Sequence, residues 1–373
     1  MTFPDLRTAL ITSFGPGCLA GISLFDWITL LAQNRFRVHP KYFPRAASLT
    51  VSSAITSVVG LCESLITAIP ARQTAVKEPV FILGCWRSGT THLHNLMCAD
   101  DRYAYPNLYQ TMYPHTWVLS EPVLRPLMGM FLPKKRFMDN VVMGLQEPAE
   151  DEMALGIVSL RSNMFSWVFP ANASRYDPQL SFESCTPRDR RLWQDALEGF
   201  LKKLAWKTGK PLILKSPNHT ARINLILERF PDAKFLHIHR NPYDVFRSMC
   251  HMANKVIPVW GLQKYDMSRI PQMVIEAYAH LYDAYFSQVK SIPQGQFFEI
   301  GYDELSADPM GRMEAAYSAL GLPDFSLARP KMQRYVDSVS DYQRNQHASI
   351  DPAIREQILA RWPRSFDTWG YER

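Results

Sequence analysis

Three short apolar runs set the frame of this chain. Residues 80–83 (Val-Phe-Ile-Leu) run into a glycine-bounded loop, Gly84-Cys85-Trp86-Arg87-Ser88-Gly89, and Thr90-Thr91 then open a helical stretch. Residues 212–215 (Leu-Ile-Leu-Lys) end in Ser216-Pro217-Asn218-His219, after which Ile223, Leu225, Ile226 and Phe230 recur at mixed three- and four-residue spacing. Residues 234–239 (Lys-Phe-Leu-His-Ile-His) end in Arg240-Asn241-Pro242. Pro242 suits the first position of a helix, because its φ is fixed and it has no N–H to satisfy. Strand and helix alternate over 79–100 and again over 196–322. That rhythm predicts an α/β fold, a three-layer sandwich whose central parallel sheet is covered on both faces. Ligands of such sheets bind beyond the carboxyl ends of the strands, so these loops are expected to converge.

The remaining segments read differently. Residues 1–75 predict a mostly helical N-terminal extension, and 76–373 the main domain. Within it, 101–195 is rich in Pro, Met and aromatics without a strand–helix rhythm, which predicts a helical insertion that builds the acceptor pocket. Residues 323–373 predict a polar helical segment with Trp362, Trp369 and Tyr371 near its end. Residues 8–32 are apolar in parts, but Gly15-Pro16-Gly17 interrupts them and no signal peptide is expected. No run reaches the roughly 20 uninterrupted apolar residues of a membrane span. Residues 51–69 nevertheless carry a single charge, Glu63. Three readings of that stretch stay open: a helix buried in the domain, an interfacial helix that lies on a membrane or receives a greasy acceptor, and a true span. The mixture Arg35-Phe36-Arg37-Val38-His39-Pro40-Lys41-Tyr42-Phe43-Pro44-Arg45 ahead of it suits an anionic surface or a solvated loop.

Composition narrows the class. With 47% hydrophobic residues, the 373-residue chain can fill a large core. The net charge of +6 is spread without a basic block, so a nucleic-acid partner is not expected. Cysteines 18, 62, 85, 98, 185 and 250 show neither metal-site nor disulfide spacing, which points to a reduced, cytoplasmic setting, at most peripheral to the membrane. Cys85 reads as a small apolar filler rather than a nucleophile.

The loop after the first run makes an anion site, because its N–H groups and the helix N-terminus point at one place. Gly84, Gly89 and Thr91 nearly fit the nucleotide P-loop, but Thr90 stands where its Lys should be, and the nearest cation is Arg87. A P-loop kinase or NTPase is therefore the weaker alternative. A catalytically inactive, membrane-associated binding protein on the same scaffold is the other.

Arg87-Ser88-Gly89-Thr90-Thr91 after a short strand resembles the 5′-phosphosulfate loop of sulfotransferases that use 3′-phosphoadenosine-5′-phosphosulfate (PAPS). Arg240-Asn241-Pro242, with Val245 and Ser248 beyond, is similar to that family's 3′-phosphate motif, in which the Arg and the Ser both contact the phosphate. Phe297 to Leu305 and Ala307-Asp308-Pro309 resemble the family's late strand and turn, with a helix over 310–321 stopped at Gly321. Lys-Ser-Pro-x-His at 215–219 is nearest the broad bacterial branch and the tyrosylprotein enzymes. The resemblance, spanning about 79–322, implies a P-loop-type fold with PAPS as co-substrate and no metal. It implies Arg87, Ser88, Gly89, Thr90, Thr91, Arg240 and Ser248 as cofactor-binding residues, with Arg87 and Lys215 also catalytic.

The acceptor needs a base, since alcohols are poor nucleophiles at neutral pH. The His found two positions after the Lys in the cytosolic branch is replaced by Pro217. The acidic cluster at 147–152 resembles the branch's Pro-x-Glu-Asp-Glu motif, so Glu150 is the first candidate, Glu152 the second and His219 the third. A helix started by Pro148, with favourable acids in its first turn, is the alternative for that cluster. The apolar N-terminal region and the aromatic-rich insertion suggest a small hydrophobic or lipid-like alcohol or amine as acceptor.

Overall fold

The computed structural model describes residues 17–129, 144–340 and 349–373. The beginning of the expected N-terminal extension, part of the insertion and residues 341–348 of the C-terminal segment lie outside the described residues. In chain order, helices α1 (Leu24–Gln33) and α2 (Phe43–Gln73) precede strand β1 (Val80–Leu83) and helix α3 (Thr90–Cys98). Helices α4 (Trp117–Gly129), α5 (Glu152–Ser159) and α6 (Pro187–Thr208) lead to β2 (Ile213–Lys215). Then come β3 (Lys234–His239), α7 (Pro242–Trp260), α8 (Ile270–Gln288) and β4 (Phe297–Gly301). Helices α9 (Pro309–Ala319), α10 (Phe325–Ser338), α11 (Pro352–Arg361) and α12 (Pro363–Trp369) complete the chain.

The four strands form one parallel sheet in the order β2-β1-β3-β4. Alternation along each strand sends side chains to two faces, and the register aligns them across strands. Val80, Ile82, Ile213, Leu236, Ile238 and Ile300 share one face and pack with Leu93 and Leu96 of α3 and Met313 and Tyr317 of α9. On the other face, Phe81 stacks on Phe235 at 5.9 Å and His237 on Tyr285 of α8 at 4.4 Å. Both faces are thus covered, as the apolar runs predict. Gly321 follows α9 at φ +58°, a left-handed backbone that glycine adopts without a Cβ penalty.

The chain divides into two compact units. The sheet unit comprises residues 76–105, 207–252 and the described part of 268–373. The helical unit comprises the described parts of 1–75 and 106–206 together with 253–267, so α7 begins in one and ends in the other. The helical unit has its own core, in which Trp27 and Leu30 of α1 and Leu49 of α2 pack with Ile157, Phe165 and Leu262.

Helix α2 turns a polar side inward. Arg45 donates to the Gly261 carbonyl at 2.6 Å, Ser57 accepts from the Leu24 N–H at 2.8 Å, and the Glu63 carboxylate accepts from the Leu119 N–H at 2.9 Å and from Lys203. Lys203 also donates to the Pro114 carbonyl at 3.0 Å. Glu63 is wholly buried, and burial lowers the Lys203 pKa, an effect that the Glu63 charge opposes. Removing one partner of such a pair strands the other charge away from water. Lys203→Met is therefore expected to lower unfolding free energy by about 3–5 kcal/mol, read from urea melts at neutral pH. A loss no larger than that of an exposed lysine would show that Glu63 finds other compensation.

Candidate active site

The glycine-bounded loop leaves the carboxyl end of β1, and Arg240 follows the carboxyl end of its neighbour β3. From β1 the chain continues to β2 on one side, and from β3 to β4 on the other, so the two loops flank the point where the strand order reverses. That is where an open α/β sheet leaves a crevice.

Close backbone approach explains both loop glycines. A Cβ on Gly84 would come within 2.5 Å of the Ile238 carbonyl oxygen, and one on Gly89 within 2.3 Å of the Tyr302 ring. Both also have positive φ, +141° and +101°. Arg87 takes φ +67° between them, a conformation that costs a residue with a side chain about 1–2 kcal/mol. The loop is held by bonds to neighbouring elements and by one within itself. Gly84 N–H donates to Thr220 Oγ1 at 2.7 Å, Cys85 N–H to the Tyr282 hydroxyl at 3.3 Å, and Ser88 Oγ to the Cys85 carbonyl at 2.7 Å. Gly89 caps α3 without a side-chain bond, and the first-turn N–H groups at Thr90 and Thr91 lack intrahelical acceptors by geometry. An anion is the natural partner for them.

The two motifs meet in space. Arg87 Nε donates to Ser248 Oγ at 2.9 Å, and Arg240 Nη1 reaches the Arg87 carbonyl at 3.4 Å. Ser248 lies on α7, two turns beyond Pro242, and is buried. The Arg240 guanidinium lies 4.6 Å from the centre of the Tyr302 ring and 3.4 Å from Asp244, while its Nε is buried with no hydrogen-bond partner. Two guanidiniums, a hydroxyl and a helix N-terminus thus surround one glycine-lined cradle. A doubly anionic ligand fits such a set, because each donor is charge-assisted or dipole-aligned.

A partly buried network ties β3 to β4 and to Trp369 and Tyr371. His237 Nδ1 and the Tyr285 hydroxyl each meet Glu299 Oε2 at 2.7 Å. Burial alone would raise the Glu299 carboxyl, but these bonds outweigh it and hold its pKa down to about 2. The His239 ring stacks on Trp369 at 4.8 Å and meets the Tyr371 hydroxyl at 2.8 Å. Burial, reinforced by neighbouring His237, lowers its pKa to about 4.

Lys215 ends β2, level with Ile82, and is 2% exposed. It lies on the α3 face, where its charge adds to burial in depressing the pKa of His94. His219 is on the opposite side of the sheet, fully buried, with its ring edge-on to Phe81 at 5.2 Å. Lys215 and His219, neighbours in the motif, are thus separated by the sheet. Glu150 and Glu152 belong to the helical unit. Glu152 is the first residue of α5, buried, and accepts from Ser162 Oγ at 2.5 Å. Glu150 is half-buried and precedes the helix, while Pro148 pairs with Asn107 in an isolated bridge. The helix-start alternative for the acidic cluster therefore applies from Glu152 onward, not from Pro148. Cys85 is buried, its Sγ 3.7 Å from the Met249 sulfur, and burial pushes its thiol far up, which removes thiolate chemistry there.

Sequence reasoning assigns no role to Thr220, Tyr282 or Tyr302, which shape the cradle. Thr220 directly follows His219, and that adjacency was its only signal. Tyr302 opens the turn after β4, and nothing local to it announces a partner two hundred residues away.

The sulfotransferase family profile matches residues 79–326, which contain the whole cradle, Lys215 and all four strands. The chain belongs to the sulfotransferase family. Sulfotransferases named omega-hydroxy-beta-dihydromenaquinone-9 sulfotransferase Stf3, from Mycobacterium bovis and Mycobacterium tuberculosis, are each 32% identical to it over 354 residues, 95% of this chain and 91% of theirs. Among solved structures, the sulfotransferase STF9 from Mycobacterium avium superposes with a TM-score of 0.72 at 17% identity, covering 100% of this chain and 98% of that one. The sulfotransferase STF1 from Mycobacterium tuberculosis gives 0.67 at 19% identity, covering 90% and 92%. At those identities the likeness carries the fold, which is the P-loop-type α/β sandwich expected from the strand pattern. With the family shown, this sulfotransferase is an enzyme, and the kinase and inactive-scaffold alternatives fall away.

Proposed function

We propose that this sulfotransferase takes its sulfuryl group from PAPS, without a metal, and passes it to a hydroxyl of a hydrophobic, lipid-like acceptor, working in the cytoplasm and peripherally at the membrane. The observation that carries the donor assignment is the meeting of Arg87, Ser248 and Arg240 beside the glycine-bounded loop. Arg87, Ser88, Gly89, Thr90 and Thr91 would hold the 5′-phosphosulfate, and Arg240 and Ser248 the 3′-phosphate. The orphaned Arg240 Nε supports that fit, since a buried guanidinium N–H needs an acceptor. When bound, PAPS supplies an activated sulfuryl group whose bond to the bridging oxygen breaks as the acceptor oxygen bonds to sulfur. Arg87 and Lys215 then carry the positive charge that a metal carries in phosphoryl transfer. The acceptor proton goes to a base, for which the resemblance of the 147–152 cluster makes Glu150 the first candidate, Glu152 the second and His219 the third. The lipid-like acceptor is supported by the relatives' name, which places a hydroxylated dihydromenaquinone as their substrate.

The test is transfer of labelled sulfuryl from PAPS to extracted membrane lipids, with and without EDTA. Activity abolished by EDTA and restored by Mg²⁺ would overturn the metal-free reading. Desulfo-nucleotide bearing a 3′-phosphate should raise the melting temperature, whereas ATP with Mg²⁺ should not. Arg240→Ala should weaken the 3′-phosphorylated nucleotide by about 1.5–3 kcal/mol, as expected for one charge-assisted contact. Calorimetry with nucleotides with and without that phosphate checks it. Equal losses for both would show that Arg240 does not read the 3′-phosphate.

A further inference from the structure

Helix α2 has its polarity reversed. Its buried residues include Arg45, Ser53, Thr56, Glu63 and Thr67. On the outer side, Val51, Ile55, Val58, Leu61, Leu65 and Ile69 recur every three or four residues and are 62–78% exposed. A surface helix of a globular protein normally does the opposite. Helices α1 and α4, which pack against α2, also expose apolar side chains, Phe25 and Val123. Its length and apolar composition would let residues Pro40–Gln73 cross a membrane, yet only 22% of its most apolar window is buried. A core helix of that composition would be mostly covered.

We infer that this face of α2 lies flat on an anionic lipid surface, with the apolar stripe in the interface and the polar side held by the protein. Orientation follows from the inner bonds. Arg45, Ser57 and Glu63 tie α2 to its own unit along most of its length. A span would have to break those bonds and carry the Glu63–Lys203 pair into hydrocarbon, which is prohibitive next to lying in plane. Charge selects the occupant. Between residues 34 and 75 the exposed charged side chains are Arg35, Arg37, Lys41 and Arg72, all cationic, and the one acid, Glu63, is buried. They flank the stripe at both ends, where anionic headgroups would meet them. The same collar opposes a second copy of the chain, because like charges would face each other. The inference deepens the membrane contact proposed above and rests on it. Nucleotide binding tests the donor assignment separately, so the two can fail independently.

The experiment is sedimentation of the full-length protein with vesicles of phosphatidylcholine alone or mixed with phosphatidylglycerol. Wild type should pellet with both, and more with phosphatidylglycerol. The triple variant Ile55→Ser, Val58→Ser, Leu65→Ser should lose about tenfold or more in partitioning on either vesicle, because apolar insertion supplies most of the binding. Its melting temperature and nucleotide affinity should stay unchanged, since all three side chains are exposed. Arg37→Glu with Lys41→Glu should lower binding to phosphatidylglycerol vesicles and leave phosphatidylcholine binding unaltered. Wild-type protein that stays in the supernatant with both vesicles would overturn the inference. So would a wild-type dimer in sedimentation velocity that the triple-serine variant dissociates, since a second copy would then cover the face.

Discussion

Lys215→Ala is expected to reduce turnover on the order of 10²–10³-fold while changing nucleotide affinity little, the size seen when one preorganised charge or donor is removed from a transition state. Lys215 ends β2 with 2% exposure, so its charge sits out of bulk water. A charge fixed before the reaction is worth most where charge grows, on the bridging oxygen of the leaving group, and less in the ground state. The prediction is therefore a split: a large fall in turnover, a small change in calorimetric affinity for the desulfo-nucleotide. A binding loss as large as the rate loss would make Lys215 a nucleotide anchor instead. Lys215→Arg separates charge from shape, since a guanidinium keeps the charge but needs more room than the buried site offers.

Glu150→Gln is the second large effect expected. The substitution keeps the side-chain shape and removes only the proton acceptor, so loss of a general base should cost about a hundredfold or more in rate. Nucleotide affinity should be almost unchanged. Glu152→Gln should be milder in rate but should cost stability, because Glu152 is buried and accepts a short bond from Ser162. His219→Ala should also act mainly through stability, by opening a cavity beside Phe81. An active Glu150→Gln beside a folded but inactive His219→Ala would move the base to His219.

Much of this was legible in the chain. The three apolar runs read as strands became β1, β2 and β3 almost residue for residue, because a buried parallel strand needs a continuous apolar run and the loops after them carry strong punctuation. Pro242 opens α7 and Gly321 follows α9, since φ restriction and φ freedom are properties of single residues. The stretch 51–69 resisted, because its composition is equally apolar for a core helix, an interfacial helix and a span. The buried Ser53, Thr56, Glu63 and Thr67 look incidental until their inward direction is known.

The sequence by itself determined the strands, the glycine-bounded loop and the family, because backbone period, turn chemistry and motif spacing are local. Only the tertiary structure decided that Arg87 meets Ser248, that Tyr302 closes over Gly89 and backs Arg240, that Lys215 and His219 take opposite sides of the sheet, and that α2 turns its apolar stripe outward. These depend on strand register and on which side of each element finds a partner. Such choices are settled by contacts between residues far apart in sequence, which no local pattern encodes.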